Sequence, residues 1–109
     1  MMKKVNIVEL EVRPFLRKKL DPFKLIMEAV ASLKDEDLFI LHVMFKPVPL
    51  FGVMKLKGYA HKAEEIDEQY WIVAFARGTH LKAELEALQL RELAKQEEVG
   101  ELAHEQKGD

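Results

Sequence analysis

LFILHVMF, residues 38–45, and YWIVAFA, residues 70–76, are the two stretches whose reading decides the fold. Both read as strands, and both are apolar on both faces. In the first only His42 interrupts the apolar run. In the second Tyr70, Ile72 and Ala74 point one way and Trp71, Val73 and Phe75 the other. A strand that is apolar on both faces belongs in the middle of a sheet, with something covering each side.

The flanking elements follow from local pattern. Val5 to Val12 alternates Val8, Leu10 and Val12 with Glu9 and Glu11, the period of a half-buried strand, and Arg13-Pro14 is expected to end it. Asp21-Pro22 is expected to open a helix over 21–34, with Phe23, Ile26, Met27, Val30 and Leu33 at helical spacing. After the stiff Lys46-Pro47-Val48-Pro49 connection, Leu50 to Lys57 reads as a short helix with Leu50, Val53, Met54 and Leu56 as its apolar set. Gly58 suits the left-handed position that closes it. Tyr59 to Ile66 is a more polar strand, expected at an edge, and Asp67-Glu68 supplies a turn into residues 70–76, which makes that pair antiparallel. Thr79 is expected to cap a last helix that carries Leu81, Leu85, Leu88, Leu90 and Leu93, with Ala83, Ala87 and Ala94 between them; Val99-Gly100 weakens it and 103–109 is expected to fray.

The order predicts a two-layer α/β sandwich of the α+β kind: βαβαββ, a four-stranded mixed sheet, and a C-terminal helix added. Right-handed crossovers place the two early helices on one face. The other face then needs a cover, and the last helix is the element left to supply it, in its own subunit or in a partner. The expected division is a core domain over 1–77 and a helical extension over 78–109, with a homodimer as the expected assembly.

Composition sets outer limits. Of 109 residues 49% are hydrophobic and 33% charged, which fits one globular domain. The net charge of −2 speaks against a dedicated nucleic-acid binder. The chain has no cysteine, so disulfides, thiolate nucleophiles, persulfide carriage and thiolate metal sites are excluded. The basic N-terminal stretch has no long apolar run, and no membrane partner and a cytoplasmic location are expected. Residues 1–20 carry six basic and two acidic side chains, against four and eight in 79–109, which reads as two differently charged solvated surfaces.

Short motifs add a resemblance. Leu10-Glu11-Val12-Arg13-Pro14, Asp21-Pro22-Phe23, Ile26-Met27 with Ala29-Val30, Pro47-Val48-Pro49-Leu50, Lys57-Gly58-Tyr59 and Trp71-Ile72-Val73 come in an order and spacing that resembles the TusA/SirA-like group. Within it the chain looks most like the domain-of-unknown-function family 2249, over roughly residues 5–77. In the sulfur-carrying members of the group a Cys-Pro-x-Pro motif opens the first helix, where the helix N-terminus lowers the thiol pKa. Asp21-Pro22 stands at that place here, so the resemblance keeps the helix opening and loses the nucleophile. The family also occurs with hemerythrin-like and cupin-like domains, which implies partners in redox or nitrogen-oxide metabolism.

The residues left for chemistry are few. His42 sits in an apolar strand, where a histidine is usually a hydrogen-bonded core residue; its functional reading is a metal ligand or acid–base group together with His61. Arg13, Arg17, Lys18 and Lys19, just ahead of Asp21 and Pro22, could hold an anion or a partner, although Asp21 would itself take the helix-start amides. Tyr70 and Trp71 suit an apolar strand better than a base-stacking surface, and Glu64, Glu65, Asp67 and Glu68 read as solubilising charge on a wet hairpin. The expectation is therefore a non-catalytic interaction or accessory module with no cofactor, working with itself or with a protein partner. The alternative is a small-ligand or metal-binding accessory protein that uses His42, His61 and the Arg13–Lys19 loop.

Overall fold

A computed structural model describes residues 5–79 and 81–95. Four strands, β1 (Asn6–Glu11), β2 (Asp37–Val43), β3 (Tyr59–Asp67) and β4 (Tyr70–Arg77), form one mixed sheet in the order β1-β2-β4-β3. β1 runs parallel to β2 with Leu10 beside Leu41, while β4 runs antiparallel to both neighbours and sets Phe39 beside Phe75. The helices are α1 (Arg13–Arg17), α2 (Phe23–Ala31), α3 (Val48–Leu56) and α4 (Lys82–Ala87), and residues 90–95 are helical as well. The expected mixed sheet is there, with both early helices, α2 and α3, on one face.

That face is a core of Phe39, Leu41, Val43, Val73 and Phe75 from the sheet against Ile26 and Val30 of α2 and Leu50 and Met54 of α3. The Phe39 and Phe75 rings stack 6.1 Å apart between centroids. Leu56 does not join them and is 91% exposed. At about 100° per residue it points away from the side shared by Leu50 and Met54. Gly58 closes α3 with φ +93°, as its left-handed role requires.

The second face holds Leu38, Ile40, Tyr70, Ile72, Ala74 and Ala76, and the chain's own C-terminal segment covers it with Leu81, Leu85, Leu90 and Ala94. The expected single helix from Thr79 is interrupted. α4 starts at Lys82 without a side-chain cap, and Leu88 is extended, with φ −61° and ψ 136°. The reason is phase. Leu81 and Leu85 share a side of a helix, but Leu90 would lie about 140° away from Leu85 in a continuous one. The break resets the phase so that Leu90 and Ala94 also face the sheet. Ala83 and Ala87 are left exposed. Lys62 of β3 compensates the break by donating to the carbonyls of Glu86 at 2.7 Å and Leu88 at 2.8 Å. Arg91 ties residues 90–95 to the same strand through the Glu65 carbonyl and the Glu64 carboxylate. Val99-Gly100, where weakening was expected, and residues 103–109, where fraying was expected, lie outside the described residues.

Two further expectations are corrected. Arg13-Pro14 does not only end β1; it starts α1, because proline's fixed φ suits a first helical turn as well as it stops a strand. The expected basic loop is therefore largely helical. β2 stops at Val43, so Phe45 is outside the sheet and 54% exposed.

Leu81 is fully buried and makes the first contact with the second face. Leu81→Ala is expected to lower unfolding free energy by about 2–5 kcal/mol, and Leu56→Ala by no more than about 0.5 kcal/mol. Chemical denaturation of the two variants checks this; equal losses would mean that the second face is not a core.

Candidate functional site

β2 ends between the starts of α2 and α3, and the space left there is a cleft of about 230 Å³. Asp21, Pro22 and Phe23 form one wall, Pro47 and Pro49 the other, and Leu41 and Val43 of β2 lie at its base with Phe45 at the mouth. Phe23 is 47% exposed, as unusual for a phenylalanine as the exposure of Phe45. α2 begins two residues later than Asp21-Pro22 suggested, yet Asp21 still works at its start: the Phe23 N–H donates to Oδ1 at 2.9 Å. Across the cleft Pro47 and Pro49 have no N–H to offer. The walls are apolar, and the nearest amide is already taken.

Basic residues neighbour the lining in the sequence: Arg17 follows Leu16, Lys24 follows Phe23, and Lys46 lies between Phe45 and Pro47; with Lys18 and Lys19 all are exposed. Lys19 is the one non-glycine residue with positive φ among the described residues, at 61°. It closes α1 in the position glycine usually fills: the Lys19 N–H donates to the Leu16 carbonyl at 3.0 Å and the Leu20 N–H to that of Phe15 at 2.9 Å. A left-handed lysine costs about 1 kcal/mol relative to glycine. The turn therefore holds an exposed lysine at some expense in stability.

Of the residues singled out from sequence, Asp21 and Pro22 line this cleft, Arg17 stands exposed at the end of α1 and Lys19 exposed in the turn after it, and Arg13 is engaged elsewhere. Its guanidinium sits 3.7 Å over the Tyr70 ring and binds Glu11 at 2.5 Å. Tyr70 leads to His42, whose Nδ1 lies 2.8 Å from the Tyr70 hydroxyl and whose Nε2 lies 2.8 Å from Glu9 Oε1. A carboxylate only accepts, so Nε2–H donates to Glu9 and, in the neutral ring, Nδ1 accepts the tyrosine proton. His42 is 1% exposed with both nitrogens engaged. That is a satisfied core histidine.

His61 is elsewhere. It stacks on Phe51 at 3.9 Å between centroids and pairs in register with Phe75, whose side chain belongs to the α2/α3 face. His42 shares the other face with Leu38 and Ile40. The sheet separates the two histidines, so one ion cannot take both. Among the described residues no group of three or more histidine and carboxylate side chains is placed to hold a metal. Glu9, Tyr70, Phe23 and Phe45 are the site residues the sequence reading missed. The adjacent Phe45-Lys46-Pro47, which breaks a strand with an apolar residue left over, was the available signal for the cleft.

A family model described as an uncharacterized conserved protein (DUF2249) matches residues 9–77. No curated protein and no solved structure matches. No described helix is long and apolar enough to cross a membrane.

Burial, with Lys46 adding to it, holds the His61 imidazole below its usual value of 6.5. The unfolded chain then takes up a proton first as pH falls. Stability is complete above about pH 6.5 and declines as pH drops from there through the lower folded-state value. Thermal unfolding from about pH 7 to about pH 5 is expected to show this decline, and His61→Phe, which keeps a ring on Phe51, to flatten it. An unchanged slope in the variant would contradict the assignment.

Proposed function

The chain belongs to the DUF2249 family of uncharacterized conserved proteins, and we propose that it works as a non-catalytic interaction module, a TusA-like domain without the sulfur-carrying thiol. Its contact point is the cleft between α2 and α3. The observation that carries this reading is an apolar cleft whose lining includes two half-exposed phenylalanines. Exposed aromatic side chains beside a concave apolar site are the usual anchor points of protein–protein contacts. At about 230 Å³ the cleft is below the ~300–1,000 Å³ of ordinary small-ligand sites, and it suits a single inserted side chain.

The charge near the cleft chooses the partner. Arg17, Lys18, Lys19, Lys24 and Lys46, close in sequence to the lining, are exposed, and the lining itself carries one carboxylate, Asp21. The fitting partner is a protein segment with an apolar anchor flanked by acidic residues. The TusA-like likeness supports partners in redox or nitrogen-oxide metabolism, and the basic N-terminal stretch without a long apolar run supports a cytoplasmic location. The small-ligand or metal-binding alternative has less behind it, because His42, His61 and the basic residues do not converge on one place.

A peptide with one leucine or phenylalanine between aspartates and glutamates is the direct probe. Isothermal titration is expected to show binding that weakens with salt. Phe23→Ser or Phe45→Ser is expected to weaken it by about tenfold or more, the equivalent of one buried aromatic contact. Equal binding by the variants, or no binding by the native chain, would contradict the reading. A second expectation concerns sulfur. Incubation with a persulfide donor is expected to add no sulfur to the chain by intact mass, since no thiol is available. Uptake of sulfur would overturn the non-catalytic reading.

A further inference from the structure

β3 is an edge strand, and its charges are ordered along its length: His61 and Lys62 come first, then Ala63, then Glu64 and Glu65. We propose that β3 pairs antiparallel with β3 of a second copy about a two-fold axis at Ala63, joining two sheets into one. The inference does not depend on the cleft.

The argument is self-complementarity. In an antiparallel pair centred on residue 63, His61 lies opposite the partner's Glu65, and Lys62 opposite the partner's Glu64. Both relations occur twice by symmetry. Residues directly opposite on one face of such a pair lie about 4.5–5.5 Å apart at Cβ, within reach of a charge pair. Moving the axis one residue either way sets Lys62 against Lys62 or Glu64 against Glu64. Charges on an edge ordinarily prevent pairing; here their order leaves one register open, and only to the same chain. Ala63, at the axis, is small enough to meet itself.

The two faces contribute differently. On the face of α4, Lys62 already serves the Glu86 and Leu88 carbonyls and Glu64 already binds Arg91. Across that face opposite charges meet without new bonds being required. On the face of α3, Glu65 and His61 are both exposed, and the new bond there is a hydrogen bond from the neutral His61 ring to the partner's Glu65 carboxylate. His61 stacks on Phe51, which holds its ring in place, and Lys55 and Lys82 line grooves on either side of the strand near His61. The partner's acidic end would arrive there. The regular part of β3 reaches Glu65, before the irregularity at Asp67, so residues 61–65 carry the pairing, with Arg91 giving up the Glu65 carbonyl to the partner strand. The other edge, β1, has Glu9 and Glu11 and no base, and it cannot complement itself in this way.

Because the chain has no cysteine, one introduced thiol reports the axis. Ala63→Cys places two thiols across the two-fold at a separation a disulfide can span. Light scattering on the native chain, up to millimolar concentration, is expected to show a dimer. Ala63→Cys is expected to oxidise to a covalent dimer, and Leu56→Cys, on an exposed position far from the strand, is not. Glu65→Lys is expected to give a monomer of unchanged circular dichroism, and His61→Glu combined with Glu65→Lys to restore the dimer with the charges exchanged. A native monomer, equal cross-linking at both positions, or a dimer indifferent to Glu65→Lys would each overturn the proposal.

Discussion

β2 has no residue outside the core. Each side chain from Asp37 to Val43 is buried, and β4 beside it is buried from Ile72 to Ala76. Two adjacent strands with no wet face force a covering layer on both sides of the sheet, since burial of each large apolar side chain is worth about 1.5–3 kcal/mol. The crossover helices α2 and α3 supply the first layer. The second must come from outside the βαβαββ unit, and it comes from Leu81, Leu85, Leu90 and Ala94. The demand is strong enough to interrupt a helix. A continuous one would turn Leu90 away, and the chain gives up the hydrogen bonds of one turn, which Lys62 partly replaces.

The same strand positions the polar chemistry. Where β2 carries its one imidazole, Glu9 from β1 and Tyr70 from β4 close on both ring nitrogens, and Arg13 lies against the tyrosine. The outcome is a satisfied network inside the sheet with nothing left over for a ligand. Where β2 stops, the apolar character continues for two residues into open space. Phe45 and Phe23 remain half-exposed in the lining of the cleft. The buried histidine, with both ring nitrogens engaged, is a structural residue, whereas the two phenylalanines stay half-exposed.

Much of the fold was legible in the sequence because it is written in periodicities. Two strands apolar on both faces, the alternation of Val8, Leu10 and Val12, and the spacing of Ile26 and Val30 each report a local burial that the structure realises. What was not legible depends on three-dimensional phase. Arg13-Pro14 is compatible with a strand end and with a helix start, and local pattern does not choose between them. The interruption at Leu88 has no glycine or proline to announce it; it arises because Leu85 and Leu90 must face one sheet. For the site, Asp21 and Pro22 were visible as a helix opening, but the cleft needs Pro47, Pro49 and Phe45 from another connection. His42 and His61 looked alike in the sequence until strand order and side-chain alternation placed them on opposite faces.

Two-sided burial of β2 and β4 is the claim on which the rest stands, and removal of the second cover tests it most directly. A chain ending at Gly78 keeps all four strands with α2 and α3. Light scattering together with urea unfolding of this chain is expected to show aggregation or a higher oligomer, with loss of several kcal/mol of stability, because the Leu38, Ile40, Ile72 and Ala74 surface would meet water. A truncated chain as soluble and as stable as the full one, with the same association state, would show that the sheet needs one cover and not two.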